Sequence, residues 1–212
     1  MANDLRNIRT DYQGSALPDD LSAIDPWEFF HLWMDEAVAA GGFEPTAMTV
    51  STVGNDGMPD GRIVLLKEVF DGGLVFYTDF GSRKGDQLAE NPQAHALFFW
   101  PTSMRQIRAR GRVTKVEPSR ADEYFQSRPV GSKVAAVASE QSHPIGSRAE
   151  MEAKFEQLEK ELGDEVPMPE RWGGYRIEVE EFEFWQGLPS RLHDRAVFTR
   201  TADGWRATRL QP

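Results

Sequence analysis

The sequence predicts a mainly β fold with flanking helices, arranged as a barrel or a tightly curved antiparallel sheet. Short β-rich runs from Thr46 onward are joined by turns rich in Gly and Asp, such as GNDGMPDG and DGG, which is the pattern of a meander. Helical patches cluster near 118–127, 131–140 and 147–162 and do not alternate regularly with strands, so a parallel, doubly wound sheet is disfavoured. With 212 residues, 40% hydrophobic content, six Trp and thirteen Phe, one core suffices. Residues 21–212 are expected to form a single domain preceded by a flexible arm over 1–20.

The first twenty residues carry Gly, Pro and charge without periodicity. Asp25 then offers an N-cap with Pro26 at the first helical position, and Trp27, Phe30, Trp33 and Ala37 recur at helical spacing until Gly41 and Gly42 end the run. TAMTVSTV, RIVLLKEV and LVFYTDF follow as strands, and SRKGDQLAEN reads as a short helix opened by Ser82. HALFFW and RQIRARGRVTKVE are two further strands. In the last helical patch, AEMEAKFEQLEKEL has good acidic–basic pairing at i,i+4. YRIEVEEFEFWQG, RLHDRAVFTR and GWRATRL close the chain as three strand-like segments.

Composition removes several function classes. Cysteine is absent, which excludes disulfides, thiolate nucleophiles, iron–sulfur clusters and thiolate zinc sites, and fits a cytoplasmic location. The N-terminal residues are polar, and no stretch approaches the ~20 apolar residues of a membrane span, so neither a secretory leader nor an anchor is expected. A net charge of −10 disfavours nucleic acid as a partner. In so acidic a chain, cations that crowd together must find an anion or repel one another. His31, His95, His143 and His193 are scattered without ligand spacing, so no metal is expected. Rossmann, P-loop and G-x-S-x-G spacings are absent.

Four constellations remain. Arg62 and Lys67 bracket an apolar run, and on a regular strand positions five apart face opposite sides, so the two are expected to do different jobs; taken alone, the run reads as an ordinary buried strand with charged ends. Tyr77 and Thr78 precede Ser82, Arg83 and Lys84 at the start of the short helix, where free backbone N–H groups and the helix dipole favour an anion; a capped surface helix is the alternative. Trp185 leads toward Arg191, His193 and Arg195, which share one face if 191–195 is a strand, either around an anionic ligand or as a solvated face. Tyr124, Arg128 and Ser132 are spaced by four, but Pro129 interrupts a continuous helix. The helix is expected to end near Ser127, leaving Arg128 and Ser132 around a turn where one phosphate could meet both; a plain helix end with Arg near its last carbonyls is the other reading.

The runs RIVLLK, VFYT, GSRK, RQ at 105–106, YF-x-SRP, QS at 141–142, WGG, EFWQG, RLHDR and RLQP occur in this order over nearly the whole chain. In them the sequence resembles the pyridoxine (pyridoxamine) 5′-phosphate oxidase family, with RLHDR after EFWQG the most specific part. The resemblance implies a split β-barrel, a homodimer with FMN at its interface, and oxidation of pyridoxine or pyridoxamine 5′-phosphate by dioxygen to pyridoxal 5′-phosphate and hydrogen peroxide. By position it implies FMN contacts at Arg62, Ile63, Val64, Leu65, Leu66, Lys67, Tyr77, Thr78, Arg83, Lys84, Gln106, Gln141, Ser142, Trp185 and Arg195. It implies substrate contacts at Lys67, Tyr124, Arg128, Ser132, Arg191 and His193, with Arg191 and His193 at the reacting end. An N-terminal lid would use Arg9 and Tyr12, although Thr10 stands where some relatives carry a second cation. Two other readings stand beside this one: a phenazine-biosynthesis oxidase on the same fold, against which Lys67, Tyr124, Arg128 and Ser132 argue because a phenazine precursor offers no phosphate to hold, and a non-catalytic carrier of FMN or pyridoxal phosphate, which all these residues would serve equally well.

Overall fold

The computed structural model describes residues 5–7 and 10–212. Its elements, in chain order, are α1 (Pro26–Ala39), β1 (Ala47–Val53), β2 (Pro59–Leu65), β3 (Glu68–Phe70), β4 (Gly73–Asp79), α2 (Arg83–Glu90), β5 (Gln93–Trp100), β6 (Arg105–Lys115), α3 (Pro118–Ser127), α4 (Val130–Ala138), α5 (Arg148–Leu162), β7 (Trp172–Gln186), β8 (Asp194–Thr201) and β9 (Gly204–Leu210). Hydrogen-bonded neighbours in the nine-stranded sheet run β2-β1-β5-β6-β7-β4-β3, with β8 pairing β7 and β9. The described residues are mainly β with five α-helices, as the turn-punctuated runs of the sequence predict. Its backbone contacts divide into two compact units, the first comprising residues up to Met48 with Ala96–Arg110 and Glu180–Pro212, the second Thr49–His95 with Gly111–Val179.

In the first unit, α1 starts where its cap requires. The Asp25 carboxylate accepts backbone N–H groups of Trp27 at 2.8 Å and Glu28 at 3.0 Å, and Pro26 occupies the first turn, where a missing N–H costs nothing. Phe30 and Trp33 face inward and meet Phe98 and Phe184 at ring separations of 5.6 and 5.4 Å. Asp25→Ala should therefore lower the stability of the FMN-free protein by about 1 kcal/mol, a melting-temperature drop of roughly 2–4 °C in a thermal scan.

The arm read from sequence as aperiodic has specific partners in this unit. Leu17 is buried, and its N–H donates to Asp194 Oδ2 at 2.9 Å. Arg209 pairs with the same carboxylate and donates to the Pro18 carbonyl at 2.6 Å, while the Gly14 N–H reaches the Gly187 carbonyl at 3.2 Å.

The second unit is organised by β4, buried along nearly its whole length as expected of a strand covered on both faces. It pairs with β7 so that Gly174 lies opposite Tyr77; a Cβ there would stand 2.9 Å from the tyrosine ring, so the glycine makes the room the ring occupies. Phe125, Val134, Val166 and Trp172 form a buried cluster against which Phe155, Leu158 and Leu162 of α5 pack. RIVLLKEV is not one strand: β2 bonds to β1, whereas β3 bonds to β4, and the chain changes partners at Leu66 and Lys67, where the Lys67 N–H donates to the Val75 carbonyl at 2.9 Å.

Candidate functional site

A cavity of about 810 Å³ opens within the second unit, a size suited to a drug-sized ligand. One end is the first turn of α2. Ser82 caps it, accepting the Gly85 N–H, and a Cβ on Gly85 would stand 2.0 Å from the Phe80 carbonyl oxygen, so only glycine lets the helix start this close to β4. Lys84 is buried, and its Nζ donates to Thr78 Oγ1 at 2.9 Å, Ser82 Oγ at 3.2 Å and Gln141 Oε1. All three partners are neutral. Burial, reinforced by the nearby Arg62 charge and opposed by Asp79, pulls the Lys84 ammonium down to about 8.

Arg62 is held rigidly beside it, donating to the Val50 carbonyl at 3.0 Å and Thr52 Oγ1 at 2.7 Å and pairing with Asp60 at 2.9 Å. Arg83, whose side chain is largely exposed, shares the Asp60 carboxylate at 3.0 Å.

The other end of the cavity is aromatic and cationic. Tyr77 stacks on Tyr124 with centroids 4.1 Å apart and on Trp172 at 5.5 Å, the planes within 18° and 8° of parallel. The Tyr77 hydroxyl donates to Glu68, which also accepts Arg120 Nε at 2.8 Å; burial first, and this carboxylate second, raise the phenol well above its ordinary value. Arg128 lies over Trp172, its guanidinium carbon 4.9 Å from the ring centroid. Among the described residues its buried Nη1 has no hydrogen-bond partner, the condition of a donor waiting for an anion. Pro129 ends α3 as expected, so Ser132 falls in the first turn of α4 and lines the same cavity as Arg128.

A second cluster belongs to the first unit. Tyr12 meets Trp185 and His193 edge-on at 5.8 and 5.2 Å, Trp185 and His193 lie 4.6 Å apart, and the Arg191 guanidinium lies 5.7 Å from the Tyr12 centroid. His193 Nδ1 accepts the Leu188 N–H at 3.1 Å, which leaves Nε2 to carry the proton of the neutral ring. Partial burial and the Arg191 charge hold the imidazole below its ordinary value.

The structure thus gathers Arg62, Ile63, Val64, Leu65, Lys67, Tyr77, Thr78, Arg83, Lys84, Tyr124, Arg128, Ser132, Gln141 and Ser142 around one cavity. Arg62 and Lys67 share it, contrary to the opposite-face expectation, because the break after β2 cancels the alternation between them. The Leu66 side chain is buried and does not line the cavity. Arg191, His193 and Arg195 do not lie along one strand as supposed: β8 begins at Asp194, Pro189–Arg191 form a 3₁₀ turn, and Ser190 and Arg191 have left-handed φ of 57° and 64°. Arg195 donates to Glu183 at 2.9 Å; Gln106 lies on β6; Arg9 lies outside the described residues. Sequence reasoning passed over Asp60, Glu68, Asp79 and Trp172. Trp172 alone carried a local signal, in the WGG run; the acids are recognised only through partners distant in sequence.

A buried lysine among neutral oxygens, an arginine with an orphaned Nη1 and flat aromatic walls fit a phosphorylated planar group such as FMN. This cavity and the nine-stranded sheet go with the FMN-binding split-barrel class of proteins. The chain belongs to the pyridoxamine 5′-phosphate oxidase family and is an FMN-dependent oxidoreductase. The family model described as pyridoxamine 5′-phosphate oxidase matches residues 34–161, and that described as the pyridoxine 5′-phosphate oxidase C-terminal dimerisation region matches 172–212.

Pyridoxine/pyridoxamine 5′-phosphate oxidases of Thermosynechococcus vestitus and Burkholderia multivorans are each 48% identical, over 98% of this chain and 99% of theirs. Among solved structures, PhzG from Burkholderia lata 383 in complex with tetrahydrophenazine-1-carboxylic acid superimposes with a TM-score of 0.88 at 31% identity, over 94% of this chain and 100% of that one. A pyridoxamine 5′-phosphate oxidase-related, FMN binding protein from Nostoc punctiforme shares the fold, with a TM-score of 0.72 at 16% identity over 90% and 99% of the two chains.

Proposed function

We propose that this protein oxidises pyridoxine or pyridoxamine 5′-phosphate to pyridoxal 5′-phosphate in the cytoplasm, with dioxygen as electron acceptor and hydrogen peroxide as product, as a homodimer with FMN at its interface. The observation that carries the reading is the pair of phosphate-ready groupings in one cavity: Lys84 with Arg83 at the α2 N-terminus, and Arg128 with Tyr124, Ser132 and Lys67. The first is assigned to the FMN phosphate, with Arg62, Thr78, Gln141 and Ser142 completing its surroundings and Gln106, Trp185 and Arg195 as further FMN contacts. The second is assigned to the substrate phosphate, whose binding energy, remote from the reacting carbon, orients the pyridine.

FMN, when bound, supplies acceptance of the two electrons leaving C4′ and their delivery to dioxygen. The chain's own task is to place and shield the substrate. Arg191 and His193 are assigned to the C4′ end. With Nδ1 occupied by the Leu188 N–H, His193 offers Nε2–H as a donor to the C4′ oxygen or nitrogen, a positioning role. Tyr12, already against Trp185 and His193, is assigned with Arg9 to closure over the substrate.

The likeness to PhzG makes a phenazine-type oxidation the second reading; a non-catalytic carrier is the third. Both are tested at once. Anaerobic mixing of the FMN-loaded protein with pyridoxine or pyridoxamine 5′-phosphate should bleach the flavin, and aerobic mixing should consume oxygen, while unphosphorylated pyridoxine does either far more slowly. Bleaching by tetrahydrophenazine-1-carboxylic acid but not by the phosphate esters would support the second reading, and an FMN-loaded protein inert to all would support the third.

The Lys84 assignment makes a pH prediction. A lysine whose folded value lies near 8 is cationic below that pH and neutral above it. Its buried charge disfavours the FMN-free fold below about 8, a cost that fades as pH climbs toward the unfolded value near 10.5. FMN affinity should move the other way, weakening by about tenfold between pH 7 and 9 as the phosphate loses its cation. Flavin fluorescence titrations across that range provide the measurement.

A further inference from the structure

Asp79 is 6% exposed and stands on the cavity wall between Thr78 and the first turn of α2. A carboxylate there is unexpected, because it would repel the phosphate that Lys84 and Arg83 attract. Its contacts give it a use. Oδ1 accepts the Gly81 N–H at 2.8 Å, and the Asp79 carbonyl accepts the Ser82 hydroxyl at 2.6 Å, so this residue shapes the loop that presents Ser82 and Lys84. Oδ2 accepts Nε of Arg171 at 2.8 Å.

The far side of the same guanidinium closes the end of α4. Arg171 Nη2 donates to the carbonyls of Ala136 at 3.2 Å, Val137 at 2.9 Å and Ser139 at 2.8 Å, groups that a helix terminus leaves without partners of its own. Just beyond lies Gln141, whose Oε1 accepts both Thr78 Oγ1 and Lys84 Nζ. One ion pair therefore fastens α2's first turn to the segment that brings Gln141 to Lys84, and the guanidinium offsets the carboxylate's charge where an anion must bind.

We propose that Asp79 and Arg171 are positioning residues for the phosphate end of the FMN site: the pair sets the spacing of its two walls, and Arg171 cancels the repulsion Asp79 would exert. The inference rests on the assignment of the FMN phosphate to the α2 N-terminus. It predicts a defect confined to the phosphate, which a general loosening of the fold would not produce.

The test is titration of FMN-free protein with FMN and with riboflavin, which lacks the phosphate, following flavin fluorescence. The riboflavin dissociation constant divided by that for FMN reads the phosphate's share of binding. Arg171→Leu should lower that ratio by about tenfold or more through weaker FMN binding, with riboflavin affinity changed by less than about threefold. Adding Asp79→Asn to that variant should regain about threefold or more of the FMN affinity, because the unpaired carboxylate is then gone. Should Arg171→Leu fail to fold, Arg171→Gln, which can still donate to the α4 carbonyls but carries no charge, provides the same comparison with and without Asp79→Asn. Equal weakening of FMN and riboflavin, unchanged FMN affinity, or no recovery in the double variant would overturn the proposal. A wild-type protein that binds riboflavin as tightly as FMN would overturn the phosphate assignment itself, and the proposal with it.

Discussion

Arg128→Ala is expected to raise the KM for the phosphorylated substrate by roughly 10- to 100-fold, the equivalent of one charge-assisted hydrogen bond of about 1.5–3 kcal/mol. FMN content should be unchanged, and the slow rate with unphosphorylated pyridoxine should not fall, because the lost group faces only the phosphate. Stability should scarcely move. In the ligand-free protein Nη1 is buried without a partner, a cost of order 1–3 kcal/mol, and the stacking of the guanidinium on Trp172 and Phe125 returns only about 0.5–2 kcal/mol. Steady-state kinetics with both substrates, flavin absorbance and a thermal scan on the same preparation check each part. An unaltered KM for the phosphate ester would remove Arg128 from the substrate site.

The prediction rests on a feature that the sequence disclosed only in part. Pro129 is a local signal, because its ring restricts Arg128 and its missing N–H stops α3 at Ser127; the turn holding Arg128 and Ser132 was legible from that alone. The same holds for Asp25 and Pro26 at the start of α1 and for Ser82 before α2, where capping chemistry and helix start coincide within three residues. What escaped was non-local. The interruption between β2 and β3 reflects an exchange of partner strand, from β1 to β4, and nothing within RIVLLKEV marks it. Strand alternation consequently put Arg62 and Lys67 on opposite faces, while the structure lines one cavity with both.

Acidic residues that tune the site were invisible for a related reason. Glu68 acts on Tyr77 nine positions away and Asp79 on Arg171 ninety-two positions away, separations across which no periodicity reaches. Cations were found because their crowding is anomalous in a chain of net charge −10; acids in such a chain are ordinary and draw no notice. The lining of the cavity was therefore legible chiefly through its basic members, and its internal neutralisation only through coordinates.

Arg191→Gly is expected to abolish most turnover without costing stability. Ser190 and Arg191 both adopt left-handed φ, at 57° and 64°, a conformation that costs an L-residue with a Cβ about 1–2 kcal/mol and glycine almost nothing. Two such residues in succession persist only where the surroundings or the function require them. Here they turn the chain after Pro189 so that the Arg191 guanidinium approaches the Tyr12 ring and His193 receives the Leu188 N–H. If that guanidinium meets the C4′ end of the substrate, its removal should lower turnover by about 10²–10³-fold, the scale of losing one preorganised charged donor, with FMN content retained. Arg191→Ala should lose the same activity but keep the backbone strain, so it should unfold about 1 kcal/mol more readily than Arg191→Gly. The glycine variant should melt at or above the wild-type temperature, since relief of strain outweighs one exposed cation–π contact of about 0.5–1 kcal/mol. A glycine variant that turns over normally would show that the turn at 190–191 serves the fold, and that the guanidinium lies away from the reacting carbon.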